Sequence, residues 1–245
     1  MYQSCIARNF NHLVPLDIEE CRILGALEQD TRSFDKNAHL YSVKESTRRL
    51  YILQTGWAYA YKLSLKGEMK VVEIFIPGDI IGLRDFTFGQ HLVNVRMLTD
   101  GAACAFPYSH ILEACQQSRK LTAAFLAAAS RDQALMTERV TTLMHCSARM
   151  KIAHFIVEIF LRLGALYPDL QYCFELPLNQ KLLASLLGLT NVHISRTLSE
   201  LERDGLLRKK RRLIEILDYE RLHEVAQFDD AYIRFDMSHL FGIRE

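Results

Sequence analysis

The sequence has almost no charge excess. Its 30 Lys and Arg against 29 Asp and Glu leave a formal net charge of +1. The chain as a whole therefore carries no footprint of nucleic-acid binding, and any basic surface has to be local. It also lacks a CxxC pair. Six cysteines stand apart at Cys5, Cys21, Cys104, Cys115, Cys146 and Cys173, which argues against a zinc or thioredoxin-like site and leaves free buried thiols as the default. No long apolar run is present. The longest, around Ala123 to Ala129, is far too short to span a bilayer, and the opening MYQSCIARNF has no apolar core of signal-peptide length. A soluble, cytoplasmic protein without a membrane partner is expected. Enzyme signatures are missing too: there is no Ser/His/Asp order, no HExxH, no phosphate-cradling glycine loop and no recognisable carboxylate pair. No enzyme, cofactor or metal site is expected.

What is there is ordinary globular composition, 49 % hydrophobic and 24 % charged over 245 residues, enough for one large domain or two small ones. A first helix is expected from Asp17 to Glu28, capped by Asp17, with Ile18, Cys21, Leu24 and Leu27 at helical spacing. From Ser33 to Pro107 the chain reads as short strands between turns, among them Leu50–Leu53, Ala58–Leu65, Met69–Ile76, Val93–Leu98 and Ala102–Phe106. Many short strands at regular spacing predict a barrel, roll or sandwich.

Beyond Pro107 the pattern is helical to about Leu166. One stripe, Leu126, Ala129, Gln133, Met136, Val140 and Leu143, steps by three and four, the a/d pattern of a coiled-coil seam. It fits either a dimer helix or a core helix of one domain. Ser147 caps the next helix, so Cys146-Ser147 is the expected hinge. Neither internal repeats nor low-complexity linkers occur.

The most informative segment runs from Leu178 to Leu207. Asn179 caps a helix to about Leu187, Gly188 supplies a left-handed turn and Thr190 caps a second helix over Asn191–Asp204. Leu182, Leu183, Leu186 and Leu187 give one apolar face; Ile194, Leu198 and Leu201 give the other, and Ala184 is small where the helices cross. Two capped helices joined by a glycine turn are a helix-turn-helix. The start of its second helix enters the major groove, and there Asn191, Val192, Ser195 and Arg196 share one outward face. Arg196 suits guanine, Asn191 adenine, and the Val192 methyls a thymine methyl. Gln180, Thr190 and His193 are placed for phosphates. Two short strands, Leu206-Leu207 and Leu213–Leu217, flank the run Arg208 to Arg212, a basic wing tip in which Lys209, Lys210, Arg211 and Arg212 would grip phosphate. From Thr190 to Arg212, seven Lys and Arg against three Asp and Glu leave +4. A solvated helical hairpin with a solvated loop is the plain alternative.

At these residues the sequence resembles the Crp/Fnr superfamily of transcription regulators. The likeness covers nearly the whole chain and is carried by LQTGWAYAYKL (53–63), FIPGDIIGL (75–83) and LPLNQKLLASLLGLTNVHISRTLSELERDGLL (176–207). It implies an α+β chain: an N-terminal double-stranded β-helix or jelly-roll-like β-roll of the cyclic-nucleotide-binding kind (1–118), a long dimerisation helix (119–146), a C-terminal winged helix-turn-helix (147–228) and a tail (229–245). It further implies a homodimer on palindromic double-stranded DNA, with RNA polymerase as a partner. A ligand-binding module whose winged helix contacts protein, not DNA, is the other reading.

Several departures from the family pattern matter. Cyclic-AMP-binding members carry a Gly-Glu pair and an Arg-Ser/Thr-Ala run; the matching IGLRDFTFGQHLVNVRML (81–98) has neither, although Arg84 and Arg96 lie nearby. Independence from cyclic AMP is expected, with the effector open. Cys5 and Cys21 make no iron–sulfur cluster motif, and His39, His91 and His110 have no haem-ligand spacing. Many members carry Glu where Val192 stands.

Overall fold

The computed structural model describes residues 4–11, 13–46, 48–233, 237 and 241. Contacts divide the α+β chain into two compact units, one holding Val72–Gln133 with the chain before Leu63, the other holding Leu63–Val71 and Ala134–Ile233. Of the tail expected at 229–245, residues 234–236, 238–240 and 242–245 lie outside the described residues.

The first unit begins with α1 (Cys5–Asn11) and α2 (Ile18–Ala26). A full capping box starts α2: the Asp17 carboxylate accepts the Glu20 N–H, and the Glu20 carboxylate accepts the Asp17 N–H. Eight strands follow: β1 (Thr31–Phe34), β2 (His39–Tyr41), β3 (Arg49–Thr55), β4 (Ala58–Leu63), β5 (Met69–Phe75), β6 (Ile80–Ile81), β7 (Asn94–Met97) and β8 (Gly101–Pro107). They form two antiparallel four-stranded sheets, ordered β1-β8-β3-β6 and β2-β7-β4-β5. Alternation along β3 explains the layering. Leu53 joins Ala58, Ala60, Ile81, Val95 and Met97 in a core between the sheets. Leu50 and Ile52 point the other way, into a second core with Ile6, Phe10, Phe106, Leu121 and Phe125. Phe10 and Phe125 meet edge to face, centroids 5.0 Å apart. At the turn into β8, a Cβ on Gly101 would collide with the Thr55 carbonyl oxygen, so only glycine fits.

Two helices leave the strands, α3 (Tyr108–Gln117) and the 27-residue α4 (Arg119–His145), separated by the extended Ser118. In the second unit α5 (Ala148–Leu166) starts at Ser147, whose hydroxyl accepts the Met150 N–H at 3.2 Å. Next come β9 (Cys173–Glu175), α6 (Gln180–Leu187), α7 (Asn191–Arg203), β10 (Leu207–Lys210), β11 (Leu213–Ile216) and α8 (Tyr219–Ala226), with the strands in the order β10-β11-β9.

One polar cluster inside this unit stands out. Glu158 on α5 is 2 % exposed. Arg139, near the end of α4, donates from Nη2 to both of its oxygens at 3.1 and 3.2 Å, and Arg162 donates from Nη1 at 3.0 Å. Burial works against the Glu158 charge, yet the two guanidiniums prevail and hold its carboxyl below the usual carboxylate range. Lys151 adds a third hydrogen bond between the helices, donating to the Leu143 carbonyl at 2.9 Å.

Four features depart from the sequence reading. Helix α1 was not expected, although Ser4 caps it by accepting the Ala7 N–H at 3.1 Å; its first N–H groups, those of Cys5 and Ile6, are accepted by the distant Glu28 carboxylate at 3.1 and 2.8 Å. Strand β1 begins at Thr31, before the expected Ser33. Strand β9 falls where the sequence pattern assigns no element and exists through its pairing with β11, Phe174 opposite Ile214. Helix α8 was also missed, although Asp218 caps it and Leu222 and Ala226 are buried four residues apart.

Replacing Glu158 by Ala removes the carboxylate that two buried guanidiniums share. The expected loss of stability is about 3–5 kcal/mol by urea unfolding; a loss under about 1 kcal/mol would contradict the role given to this carboxylate.

Candidate nucleic-acid interface

The recognition element is built by short-range signals that all engage. The Asn179 side chain accepts the Leu182 N–H at 2.9 Å to start α6. Gly188 ends it with φ 61° and ψ 34°, a left-handed conformation that disfavours any side chain. The Thr190 hydroxyl accepts the His193 N–H at 3.2 Å to start α7. Leu183, Ala184 and Leu187 on α6, and Ile194, Leu198 and Leu201 on α7, are buried. That fixes which face of α7 is left over.

Asn191, Val192, His193, Ser195 and Arg196 are all exposed. Val192 shows 73 % of its surface, an apolar side chain that no core requires at the tip of a polar helix. The Arg196 side chain is 77 % exposed, and its Nε donates to Glu200 Oε1 at 2.9 Å. Gln180 and Thr190 are exposed at the starts of their helices, where free N–H groups and the helix dipole favour an anion.

The wing differs from expectation. Its basic run is not a five-residue tip, because the ladder extends to Lys209 opposite Ile214 and Lys210 opposite Leu213. The turn is Arg211-Arg212 alone. Arg211 has φ 53°, a left-handed backbone costing a non-glycine residue of order 1 kcal/mol. Lys209 is half-buried and donates from Nζ to the Arg211 carbonyl at 2.6 Å, steadying that turn. Arg208 pairs with Glu215 at 3.0 Å and Arg212 faces Glu175 at 3.8 Å. Lys210 and Arg211 are exposed and have no carboxylate partner among the described residues.

A residue that the sequence reading missed ties these parts together. The Glu202 carboxylate, near the end of α7, accepts the Lys209 backbone N–H at 2.7 Å. It covers the free edge of β10 and sets the wing against the recognition helix. Nothing local in the sequence marks it, since its partner lies across the turn at Gly205.

Along α4, Leu126, Ala129, Gln133 and Val140 are exposed, while Met136 and Leu143 are half-buried. Leu126 shows 65 % and Val140 51 % of its surface, and Met144, outside the expected stripe, shows 70 %. Leu121, Phe125 and Leu135 are buried. The helix therefore has one covered and one open apolar face.

In the β-roll, Arg84 is ion-paired with Glu73. Arg96 donates to His39 Nε2 at 2.6 Å and to the Tyr61 hydroxyl at 3.3 Å. Between them Asp85, fully buried, meets His91 Nδ1 at 2.9 Å, and the His91 ring stacks on Tyr41 at 3.6 Å. All six cysteines are free. Burial pushes the Cys5, Cys21 and Cys104 thiols up, away from the reactive thiolate. Among the described residues no helix is long and apolar enough to cross a membrane.

A helix-turn-helix backed by a two-stranded basic wing defines a winged-helix DNA-binding protein. Comparison with known proteins makes this specific. Residues 150–225 match the Crp-like helix-turn-helix domain and residues 31–118 the cyclic nucleotide-binding domain, together more than half of the chain. The chain is 28 % identical over 214 residues to the transcriptional activatory protein AadR of Rhodopseudomonas palustris, covering 87 % of each. It is 22 % identical over 215 residues to the fumarate and nitrate reduction regulatory protein of Vibrio cholerae, covering 87 % of this chain and 86 % of that one. In structure it is similar to FixK2 from Bradyrhizobium japonicum, with a TM-score of 0.71, 23 % identity, and coverage of 80 % of this chain and 96 % of that one. The chain belongs to the Crp/Fnr family and is a DNA-binding transcription regulator of that type, and its relatives are named as regulators, not enzymes.

Glu202→Ala should free the wing. Exchange of the Lys209 amide should quicken by about tenfold or more while amides inside α7 hold theirs; unchanged exchange at Lys209 would contradict the tether.

Proposed function

We propose that the protein binds a palindromic DNA site as a homodimer and does so without cyclic AMP. The observation that carries this reading is the exposed start of α7, where Asn191, Val192, Ser195 and Arg196 stand on one face outside the core. Arg196 reads guanine from the major groove, Asn191 adenine, and Val192 a thymine methyl, with Ser195 beside them. Gln180, Thr190, His193, Lys209, Lys210, Arg211 and Arg212 hold phosphates on either side, which sets register and makes binding salt-dependent. The expected segments serve this scheme: a β-roll over 1–118, a dimerisation helix over 119–146, a winged helix over 147–228 and a tail over 229–245.

The open face of α4 supports the dimer. Leu126, Ala129, Gln133, Met136, Val140 and Leu143 form its seam, and two copies place two recognition helices in successive major grooves, about one helical turn apart. Independence from cyclic AMP is supported by the β-roll. Arg84 and Arg96 are already engaged, and the buried Asp85 would oppose a cyclic phosphate. The regulator works in the cytoplasm, with RNA polymerase as its further partner.

Selection of sites from random duplex DNA tests the reading. The expected consensus keeps the guanine opposite Arg196 and carries thymine where a Glu-bearing member would take cytosine. Arg196→Ala should lower preference for that guanine by about tenfold to a hundredfold. A consensus identical to that of a Glu-bearing member, or one indifferent to Arg196→Ala, would overturn it.

A further inference from the structure

The Arg196–Glu200 pair is odd as a stabiliser of the helix. Both side chains lie on α7, one turn apart, and the Arg196 side chain is 77 % exposed. An exposed pair at this spacing contributes little. Its order is also the less favourable one, with the cation toward the N-terminus and the carboxylate following. Worse, a carboxylate on a DNA-facing helix repels phosphate and weakens binding to every duplex. Such a residue needs some other reason to be there.

The hydrogen bond suggests one. Glu200 Oε1 accepts specifically from Arg196 Nε at 2.9 Å. An arginine has five N–H donors in a rigid fork. Occupying Nε leaves the two terminal nitrogens free, and these can address guanine O6 and N7 end-on. The same bond confines a long side chain that would otherwise sample many rotamers, so less freedom is lost on docking. Water leaves the interface as DNA arrives, and the pair then strengthens. We propose that Glu200 is a positioning residue for DNA recognition: it holds the Arg196 guanidinium in the orientation that reads guanine, at the cost of some affinity for DNA in general. The inference rests on the base-reading role given to Arg196.

The test uses the full-length protein and three duplexes: the selected site, that site with the guanine opposite Arg196 replaced in both half-sites, and a random sequence. Glu200→Ala, Glu200→Gln, Arg196→Ala and the Arg196→Ala/Glu200→Ala double variant are compared by equilibrium binding at fixed salt. Glu200→Ala should lower the ratio of selected-site to replaced-site affinity by about threefold to tenfold. Its binding to random duplex should be equal to the parent's or tighter, which a merely structural lesion would not produce. Glu200→Gln keeps the acceptor and should hold the ratio within about twofold of the parent. In the Arg196→Ala background, Glu200→Ala should change the ratio by less than about twofold. An unchanged ratio in Glu200→Ala, or an equal fall with Arg196 already gone, overturns the proposal alone. If Arg196→Ala itself leaves the ratio unchanged, the base-reading role of Arg196 falls and the proposal falls with it.

Discussion

A single buried carboxylate organises the DNA-binding half of this protein. Glu158 gathers Arg139 from the end of α4 and Arg162 from its own helix, with almost no contact with water. A low-dielectric interior tolerates a buried carboxylate only if it is paired and its hydrogen bonds are made. The result is a rigid joint between the last turns of α4 and α5. Upon α5 rest the other parts of the unit: Arg149 at its start pairs with Asp204 at the end of α7 at 2.6 Å, and Phe160 packs against Tyr172 and Phe174 beside the wing sheet. A recognition helix can be exact about bases only if its own footing does not move.

The same logic separates what the sequence made legible from what it did not. Caps are local chemistry, and Asp17, Ser147, Asn179 and Thr190 each accept the N–H their position in the sequence predicts. Gly188 likewise takes the left-handed turn that defines the motif. The antiparallel strands of the β-roll were readable because alternation and turns repeat over a few residues. The wing was only half readable: its basic run was plain, but its register depends on cross-strand pairing, which moved the turn to Arg211-Arg212. The Glu158 joint and the Glu202 tether were hidden, since each joins residues on different elements through a charge that sequence alone reads as solvated surface. Helix α8 was legible and overlooked.

The candidate interface also shows how little charge a reader of DNA needs in total. The net charge of +1 gives no warning, because the basic residues are gathered on the wing while acids are put to use beside them. Glu202 fixes the wing backbone, and Glu215 and Glu175 face its outer arginines. What is left over, Lys210 and Arg211 at the tip and the α7 face, is directed outward. In the β-roll, Asp85, His91 and Tyr41 are buried against one another.

The central claim is that two copies read two half-sites together, and half-site spacing tests it most directly. Duplexes carrying the selected half-sites in their natural palindromic spacing would be titrated beside duplexes with about five extra base pairs at the centre, half a helical turn. The account predicts that the insertion turns one half-site to the far side of the DNA and weakens binding to near the level of a single half-site, by at least about a hundredfold. Equal affinity for the two spacings would contradict it.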